Sequence, residues 1–440
     1  MSDDIKMSSY TQGLMFSVCV PTRNRADTLE YCLKTLLHQD FDEFEIVVSD
    51  NSDAAESELT QSVIEKLNSD KIKYYRPERI LSMTENFEFT LDKARGKYIL
   101  FLGDDDGLVT NSLKYVYNKI KEKSPDIIKS PNIVYYWPSS FVVDQTMLTF
   151  PVRRPDFYLS SREVLAQVSS FDLNYYALPM IYYSFVNREI IEHIIDKSGS
   201  FFQDSISPDI YSGILLAHYT ESYLLTEKPF TISGLSDKSN GSNSMKKPDS
   251  EISKEFKKQQ KLVEKFKKFE IPTTHKSGFD NTVLFEILLF KENHKVKPDL
   301  YPIDYHKFVF NKTYLSDVIN NISELPNTHE FIGYQRFESI LKDLKQKIIS
   351  KQVFYPQTSS SRNLLVNKIH IDPNLFHAEN VYDISCLCEK ICQNYGHLQM
   401  LTLKNIDGYL KKRRKNKIKT ELITMLKKIR YFSGELLRMI

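Results

Sequence analysis

The chain has 440 residues, 41% apolar and 26% charged, with 27 Phe and 26 Tyr but only 13 Gly. That is the make-up of a globular protein of about two domains, and it excludes a disordered or collagen-like chain. A formal net charge of +2 gives the whole chain no pull on polyanions, so nucleic acid is not an expected partner.

Residues 1–14 read as a tail without the basic and apolar regions of a signal peptide. No run of about 18 apolar residues is present to span a bilayer. Five Cys, an odd number, read as reduced thiols, so a cytoplasmic location is expected.

MFSVCV (15–20) is an apolar, β-branched run that predicts a buried strand, and the loop PTRNR follows it. Leu29, Cys32, Leu33, Leu36 and Leu37 then recur at helical spacing, with Asp27 as the expected N-cap. FEIVVSD (44–50) is a second strand, 55–67 a helix and IKYYR (72–76) a third strand. Phe87, Leu91 and Ala94 mark a helix with Gly96 as its expected C-cap. KYILFL (97–102) is a fourth strand, and it runs into LGDDDG. A helix through Leu113, Val116 and Ile120 and a strand at 126–130 complete the series. Such alternation predicts a mainly parallel α/β sheet flanked by helices, in which ligands lie beyond the carboxyl ends of the strands. Those ends carry Pro21 to Arg25, Asp50 with Asn51, and Asp104 to Asp106. Three polar strand ends are therefore expected to converge on one crevice.

Residues 131–200 are mixed and rich in aromatic clusters. Pro208–Asp209 opens a predicted helix with Ile210, Ile214, Leu215 and Ala217 on its apolar side, and 236–244 is a Ser/Asn/Gly-rich loop. From about 250 the period becomes helical, which sets a mainly α-helical region at 246–410 apart from an α/β domain at 15–245. EISKEFKKQQKLVEKFKKFE (251–270) places Ile252, Phe256, Val263 and Phe266 on one face. NTVLFEILLF, YLSDVINNI, FESILKDLKQKII and VYDISCLCEKICQ read as further helices. Cys386, Cys388 and Cys392 lie near His397, but only Cys388 and Cys392 share a helical face, so packing is expected rather than zinc. Residues 411–430 hold ten Lys or Arg against one Glu. The tail 411–440 reads as a basic amphipathic helix suited to an anionic membrane surface, such as the inner face of the plasma membrane.

FSVCVPTRNRADTLEYCLKTLLHQ, EIVVSDNSD and SMTENFEFTLDKARGKYILFLGDDDG, in that order, resemble the inverting nucleotide-sugar glycosyltransferases of family 2. The resemblance implies the Rossmann-like GT-A fold. It also implies transfer of a hexose or N-acetylhexosamine from a nucleotide-diphosphate sugar, UDP first among them, to a glycan or lipid-linked acceptor in surface-polysaccharide synthesis. Asp106 then becomes the ligand of Mn²⁺ or Mg²⁺, with Asp104 the alternative, because hard oxygen ligands suit such ions. In an extended chain Asp104 and Asp106 would share a direction and Asp105 would point away. Asp104 and Asp105 contact ribose or a metal-bound water, and Asp50 recognises the base. Pro21, Thr22, Arg23, Arg25, Asn51 and Asn86 line the donor pocket. Asp209 is the expected general base and Asp204 its rival; the acid that often precedes that base in the family is replaced by Pro208. Lys238 and Ser239 belong to a loop that closes over phosphate in the family, or else to an inter-domain linker.

Two other classes compete with a transferase. A nucleotidyltransferase would need a Gly-rich phosphate loop after the first strand, and PTRNR has no glycine. A nucleotide-sugar-binding scaffold with a decayed site is distinguished by its lack of UDP release.

Overall fold

The first strands are buried on both faces, as a sheet between two layers of helices requires. The computed structural model describes residues 13–143, 146–151, 155–241, 243, 247, 249–271, 279–310, 368–371, 373–376 and 378–393. β1 (Phe16–Thr22), β2 (Phe44–Asp50), β3 (Ile72–Tyr75) and β4 (Tyr98–Phe101) lie in parallel in the order β3-β2-β1-β4. α1 (Ala26–Leu37), α2 (Ala54–Leu67) and α3 (Met83–Lys93) connect them.

The alternation of side chains along each strand divides them between two cores. Val18, Val20, Ile46, Val48 and Leu100 pack with Leu29, Leu33 and Leu36 of α1 and with Leu113 and Val116 of α4 (Ser112–Lys123). Cys19, Val47, Ile99 and Phe101 face the other way, toward Phe87 and Leu91 of α3. The same second core takes in α5 (Ser161–Ser169), α6 (Arg188–Ser198) and α7 (Pro208–Tyr219).

Among the described residues six further strands lie between residues 107 and 187: β5 (Gly107–Leu108), β6 (Ile127–Lys129), β7 (Ile133–Tyr136), β8 (Met147–Pro151), β9 (Phe157–Ser160) and β10 (Ser184–Asn187). β11 (Ser222–Leu225), β12 (Thr231–Leu235) and β13 (Lys368–Ile371) follow. Among the described residues the large sheet runs β3-β2-β1-β4-β10-β6-β11-β9. The strand expected at 126–130 is thus β6, and antiparallel β10 separates it from β4. A second sheet, β13-β8-β7-β12-β5, stands beyond the end of β4.

Several local expectations change. Asp27 is not the N-cap of α1: the cap is Arg25, without a side-chain bond, and Asp27 sits in the first turn, where it pairs with Lys238 at 3.0 Å. Gly96 is not the C-cap, since α3 ends at Lys93 and Ala94 caps it. A Cβ at Gly96 would meet the β1 backbone 2.4 Å away at Phe16 and Ser17, so close approach of two chain segments demands glycine there. α7 is not one-sided: every residue from Ile210 to Ala217 is buried. The segment 251–270 is two helices, α8 (Glu251–Gln259) and α9 (Leu262–Lys268), broken at Lys261 with φ +50°, and Val263 is exposed rather than packed.

The expected helices at 279–293 and 381–393 form, as α10 (Phe279–Asn293) and α12 (Val381–Gln393), with α11 (Tyr305–Phe310) between them. They do not set up a separate core among the described residues. Val283, Leu284, Phe285 and Ile287 of α10 join the core that holds α7. Val381, Ile384, Leu387 and Cys388 pack with Tyr135, Trp137 and Phe150 of the second sheet region. Cys388 is a buried packing residue, and no group of three or more His, Cys, Asp or Glu side chains is placed to hold a metal ion among the described residues. His397, YLSDVINNI, FESILKDLKQKII and the basic tail 411–440 lie outside the described residues. No described helix is long and apolar enough to cross a membrane.

Candidate active site

The ends of β1 and β4 meet the start of α7 around one pocket of about 560 Å³. Pro21, Thr22, Arg23, Arg25, Asn51, Asn86, Asp104, Asp105, Asp106, Asp209, Lys238 and Ser239 all line it.

The triplet does not lie in an extended strand. Asp106 N donates to Gly103 O at 3.1 Å, so residues 103–106 make a tight turn. Each carboxylate therefore leaves in its own direction, which corrects the expectation that Asp104 and Asp106 point together. Asp104 faces β1 and α1: Thr22 Oγ1 donates to its Oδ2 at 2.7 Å and Arg25 Nη1 to its Oδ1 at 3.1 Å. Asp105 faces the loop after β12: Ser236 Oγ donates to its Oδ2 at 2.7 Å and Ser239 Oγ at 2.5 Å. Asp106 receives Gly234 N on Oδ1 at 2.7 Å, and on Oδ2 it receives Gly103 N at 2.8 Å and Tyr183 Oη at 3.3 Å. The Tyr182 hydroxyl faces the same carboxylate. Burial, reinforced by Asp105, pushes Asp106 up to about 7. Burial also raises Asp104, against the pull of Arg25.

Glycines make the turn possible. A Cβ at Gly103 would stand 2.3 Å from Tyr182 Oη, 3.0 Å from Asp106 Oδ2 and 3.2 Å from Asp105 Oδ1, so three oxygens ring the space that glycine leaves open. These are hard donors of the kind that hold Mg²⁺ or Mn²⁺ together with substrate phosphates. At Gly234 a Cβ would fall 1.7 Å from Asp105 O. Trp137 Nε1 donates to that same carbonyl oxygen at 3.0 Å. The second sheet thus fixes the aspartate turn from outside.

Asn51 is latched to Leu81 through both amide groups, at 2.8 and 2.7 Å. A Ser82–Glu85 capping box starts α3 one turn before Asn86, whose Oδ1 accepts from Ser49 Oγ at 2.6 Å. Asp50 is not brought to the pocket wall. It is fully buried, with Ser52 N at 3.0 Å on Oδ1 and both Ser57 Oγ and Tyr74 Oη at 2.8 Å on Oδ2. Arg23 reaches Glu255 of α8 at 2.6 Å, and Arg25 also donates to the Lys238 carbonyl. α8 therefore closes one side of the pocket.

Pro208 is the first residue of α7, a position where its missing N–H costs nothing. Asp209 follows, and Ser207 Oγ donates to its Oδ1 at 2.6 Å. Burial raises Asp209, opposed by that hydrogen bond. Tyr175 and Tyr176, stacked with centroids 4.3 Å apart, share the pocket with it. Asp204 is exposed, paired with Lys265 at 2.8 Å, and absent from the pocket lining.

Sequence reasoning missed Gly234, Ser236, Tyr182, Tyr183 and Glu255. Only Gly234 carried a readable signal, as a lone glycine inside a strand pattern, which marks close backbone approach. The others come from segments that no motif ties to the triplet.

A mostly parallel sheet with a carboxylate-rich turn and a helix-start Asp lining the same pocket defines an α/β protein with a polar ligand pocket at its strand ends. Residues 17–177 match the model of Glycosyl transferase family 2, so that segment is similar to the family, and the mostly parallel sheet flanked by helices has the GT-A fold. Among curated proteins it is similar to the Campylobacter jejuni GalNAc(5)-diNAcBac-PP-undecaprenol beta-1,3-glucosyltransferase, 38% identical over 109 residues, which cover 24% of this chain and 34% of that one. It is also similar to the cholesterol galactosyltransferase of Borreliella burgdorferi, 22% identical over 207 residues, 46% of this chain and 56% of that one. The matches thus span between about a third and a little over half of these relatives' lengths. Among solved structures, S. aureus TarS 1-349 in complex with UDP-GlcNAc aligns with TM-score 0.44 and 15% identity, over 78% of this chain and 93% of that one.

Proposed function

We propose that this chain is an inverting, metal-dependent glycosyltransferase that moves a hexosyl or N-acetylhexosaminyl group from a nucleotide-diphosphate sugar, most simply UDP-linked, to a glycan or lipid-linked acceptor. The carrying observation is that the carboxylate turn and Asp209 line one and the same pocket. The named activity of the C. jejuni relative, on an undecaprenol-linked glycan, supports a lipid-linked acceptor and a place in surface-polysaccharide synthesis.

In this reading Asp209 takes the proton of the acceptor hydroxyl as its oxygen attacks the anomeric carbon. The bond to the diphosphate breaks on the opposite face, and its electron pair leaves with the nucleotide. Burial raises the basicity of Asp209, and Ser207 orients it. Asp106 would hold Mn²⁺ or Mg²⁺, with Asp105 a nearer second donor than Asp104, whose oxygens serve Thr22 and Arg25. Such an ion neutralises the departing diphosphate. Pro21, Thr22, Asn51 and Asn86 shape the donor pocket, Asp50 supports the base site from beneath, and Arg23 and Arg25 supply positive charge at its rim. Lys238 and Ser239 belong to the loop that covers the phosphates. The basic tail 411–440 places the enzyme at an anionic membrane surface on the cytoplasmic side.

The test is UDP release from UDP-Glc, UDP-Gal and UDP-GlcNAc with an undecaprenyl-diphosphate glycan, with and without Mn²⁺. Metal-dependent release is expected from at least one donor. A chain that binds UDP and releases it from none would instead be a binding scaffold.

A further inference from the structure

Residues 201–207, which lead into α7, have no regular structure and are mostly buried. Their backbone N–H groups need partners. Two carboxylates supply them. Glu88 of α3 accepts from Phe201 N at 3.0 Å and Phe202 N at 2.8 Å. At the other end Glu286 of α10 accepts from Ile206 N at 2.9 Å and Ser207 N at 2.7 Å, both on Oε1.

Glu286 is an odd choice for packing alone. It is 0% exposed and stands between Phe285 and Ile287 in an apolar core. Its Oε2 is buried and has no partner. A half-satisfied carboxylate in such a place costs stability. The position it holds is the one that matters for chemistry: Ser207, whose N–H it binds, donates its hydroxyl to Asp209. Proline at 208 can offer neither an N–H nor a carboxylate to this turn. One turn before Glu286 on the same helix, Thr282 lines the pocket itself.

We propose that Glu286 is a positioning residue for the general base, reaching in from the C-terminal helical region to fix the Ile206–Ser207 amides so that Ser207 steers Asp209. This rests on the reading of Asp209 as the base. A helix beyond the family-matched segment thereby becomes part of the catalytic machinery, and chemistry depends on how α10 docks against α7.

The test compares Glu286→Met, Glu286→Gln, Ser207→Ala and Asp209→Asn in the full chain. The readouts are UDP release from the best donor of the panel above, UDP-binding stoichiometry by calorimetry, and thermal melting. Glu286→Met keeps the length of the side chain and removes the oxygen that accepts from the two amides. It is expected to bind UDP with full stoichiometry while kcat falls about 100-fold and KM stays within about twofold, the pattern of a base displaced by a fraction of an ångström. Glu286→Gln keeps an acceptor oxygen and is expected to recover most of that loss. Ser207→Ala, which leaves α10 untouched, is expected to lower kcat about tenfold. Wild-type kcat in Glu286→Met or in Ser207→Ala overturns the inference, and so does a loss of activity in Glu286→Met that only tracks lost UDP-binding stoichiometry. Asp209→Asn separates the two readings. If it is inactive while Glu286→Met is normal, the positioning role alone falls. If it is fully active, the base assignment itself falls.

Discussion

Replacing Lys129 by Met should stabilise this protein, and by an amount that depends on pH in a defined way. Lys129 ends β6, is 2% exposed, and its Nζ has no partner among the described residues. Burial without a counter-charge pulls it down to about 7. An unfolded lysine titrates near about 10.4. The folded state therefore binds fewer protons than the unfolded state between these values, and stability must rise with pH across that window. Below pH 7 the full penalty applies, on the order of 5 kcal/mol at about 1.4 kcal/mol per pKa unit. At pH 7 roughly 4 kcal/mol remains, at pH 9 roughly 2, and above about 10.5 nothing. Met keeps the stem and removes the charge. The assay is urea unfolding of both proteins at half-unit steps from pH 6 to pH 10, followed by circular dichroism. Subtracting one curve from the other removes every other titrating group. The advantage of Lys129→Met should shrink steadily as pH rises through this window. An advantage that is absent at pH 7, or that does not change between pH 7 and pH 10, refutes the reasoning.

Four other outcomes follow from the site. Asp209→Asn should lower transfer at least 100-fold, the scale of general-base catalysis, while UDP binding measured by calorimetry stays intact. Gly234→Ala puts a methyl group 1.7 Å from Asp105 O; it should lower the melting temperature by several degrees and abolish Mn²⁺-dependent UDP binding, and an unchanged titration would show that β12 does not hold the turn. Asp106→Ala should lose Mn²⁺-dependent donor binding more completely than Asp105→Ala. In the wild type, Asp106 must shed its proton to bind a cation, and it titrates at about 7. Mn²⁺ affinity should therefore fall about tenfold for each pH unit below 7 and level off above it, as followed by paramagnetic resonance of free Mn²⁺.

The first half of the fold was legible because its strands and helices are regular. Val18, Ile46 and Leu100 announce strands as members of short apolar runs, and Leu29, Leu33 and Leu36 announce α1 by helical period. Where those strands end, polarity marked Thr22, Asn51 and Asp104 to Asp106, and the structure gathers them. Asp50 shows the limit of that signal: a strand-end carboxylate can also turn inward to Ser57 and Tyr74. The DDD triplet was read with the geometry of a strand, whereas the Gly103–Asp106 turn sends its side chains three ways. Glu286 was invisible because a glutamate within FEILLF reads as an exposed interruption of an apolar helix. Only the packing of α10 on α7 reveals that its face is internal. The boundary drawn at 246 rests on a related signal. A change from strand-like to helical period marks a change of element type, and it carries no information on whether the later helices pack on one another or back onto the sheet.

The return of β13 and α12 to the second sheet has a consequence for how the protein is made. β8 lacks its β13 partner, and Tyr135 and Trp137 lack their apolar cover, until residues 368–393 have left the ribosome. At translation rates of about 5–20 residues per second, roughly 10–30 s separate the emergence of β12 from that of α12. During that interval the nascent chain shows an open strand edge beside an aromatic surface, the type of surface that chaperones recognise. A fragment cut after β12 would carry that exposure permanently, and its expression should give insoluble protein.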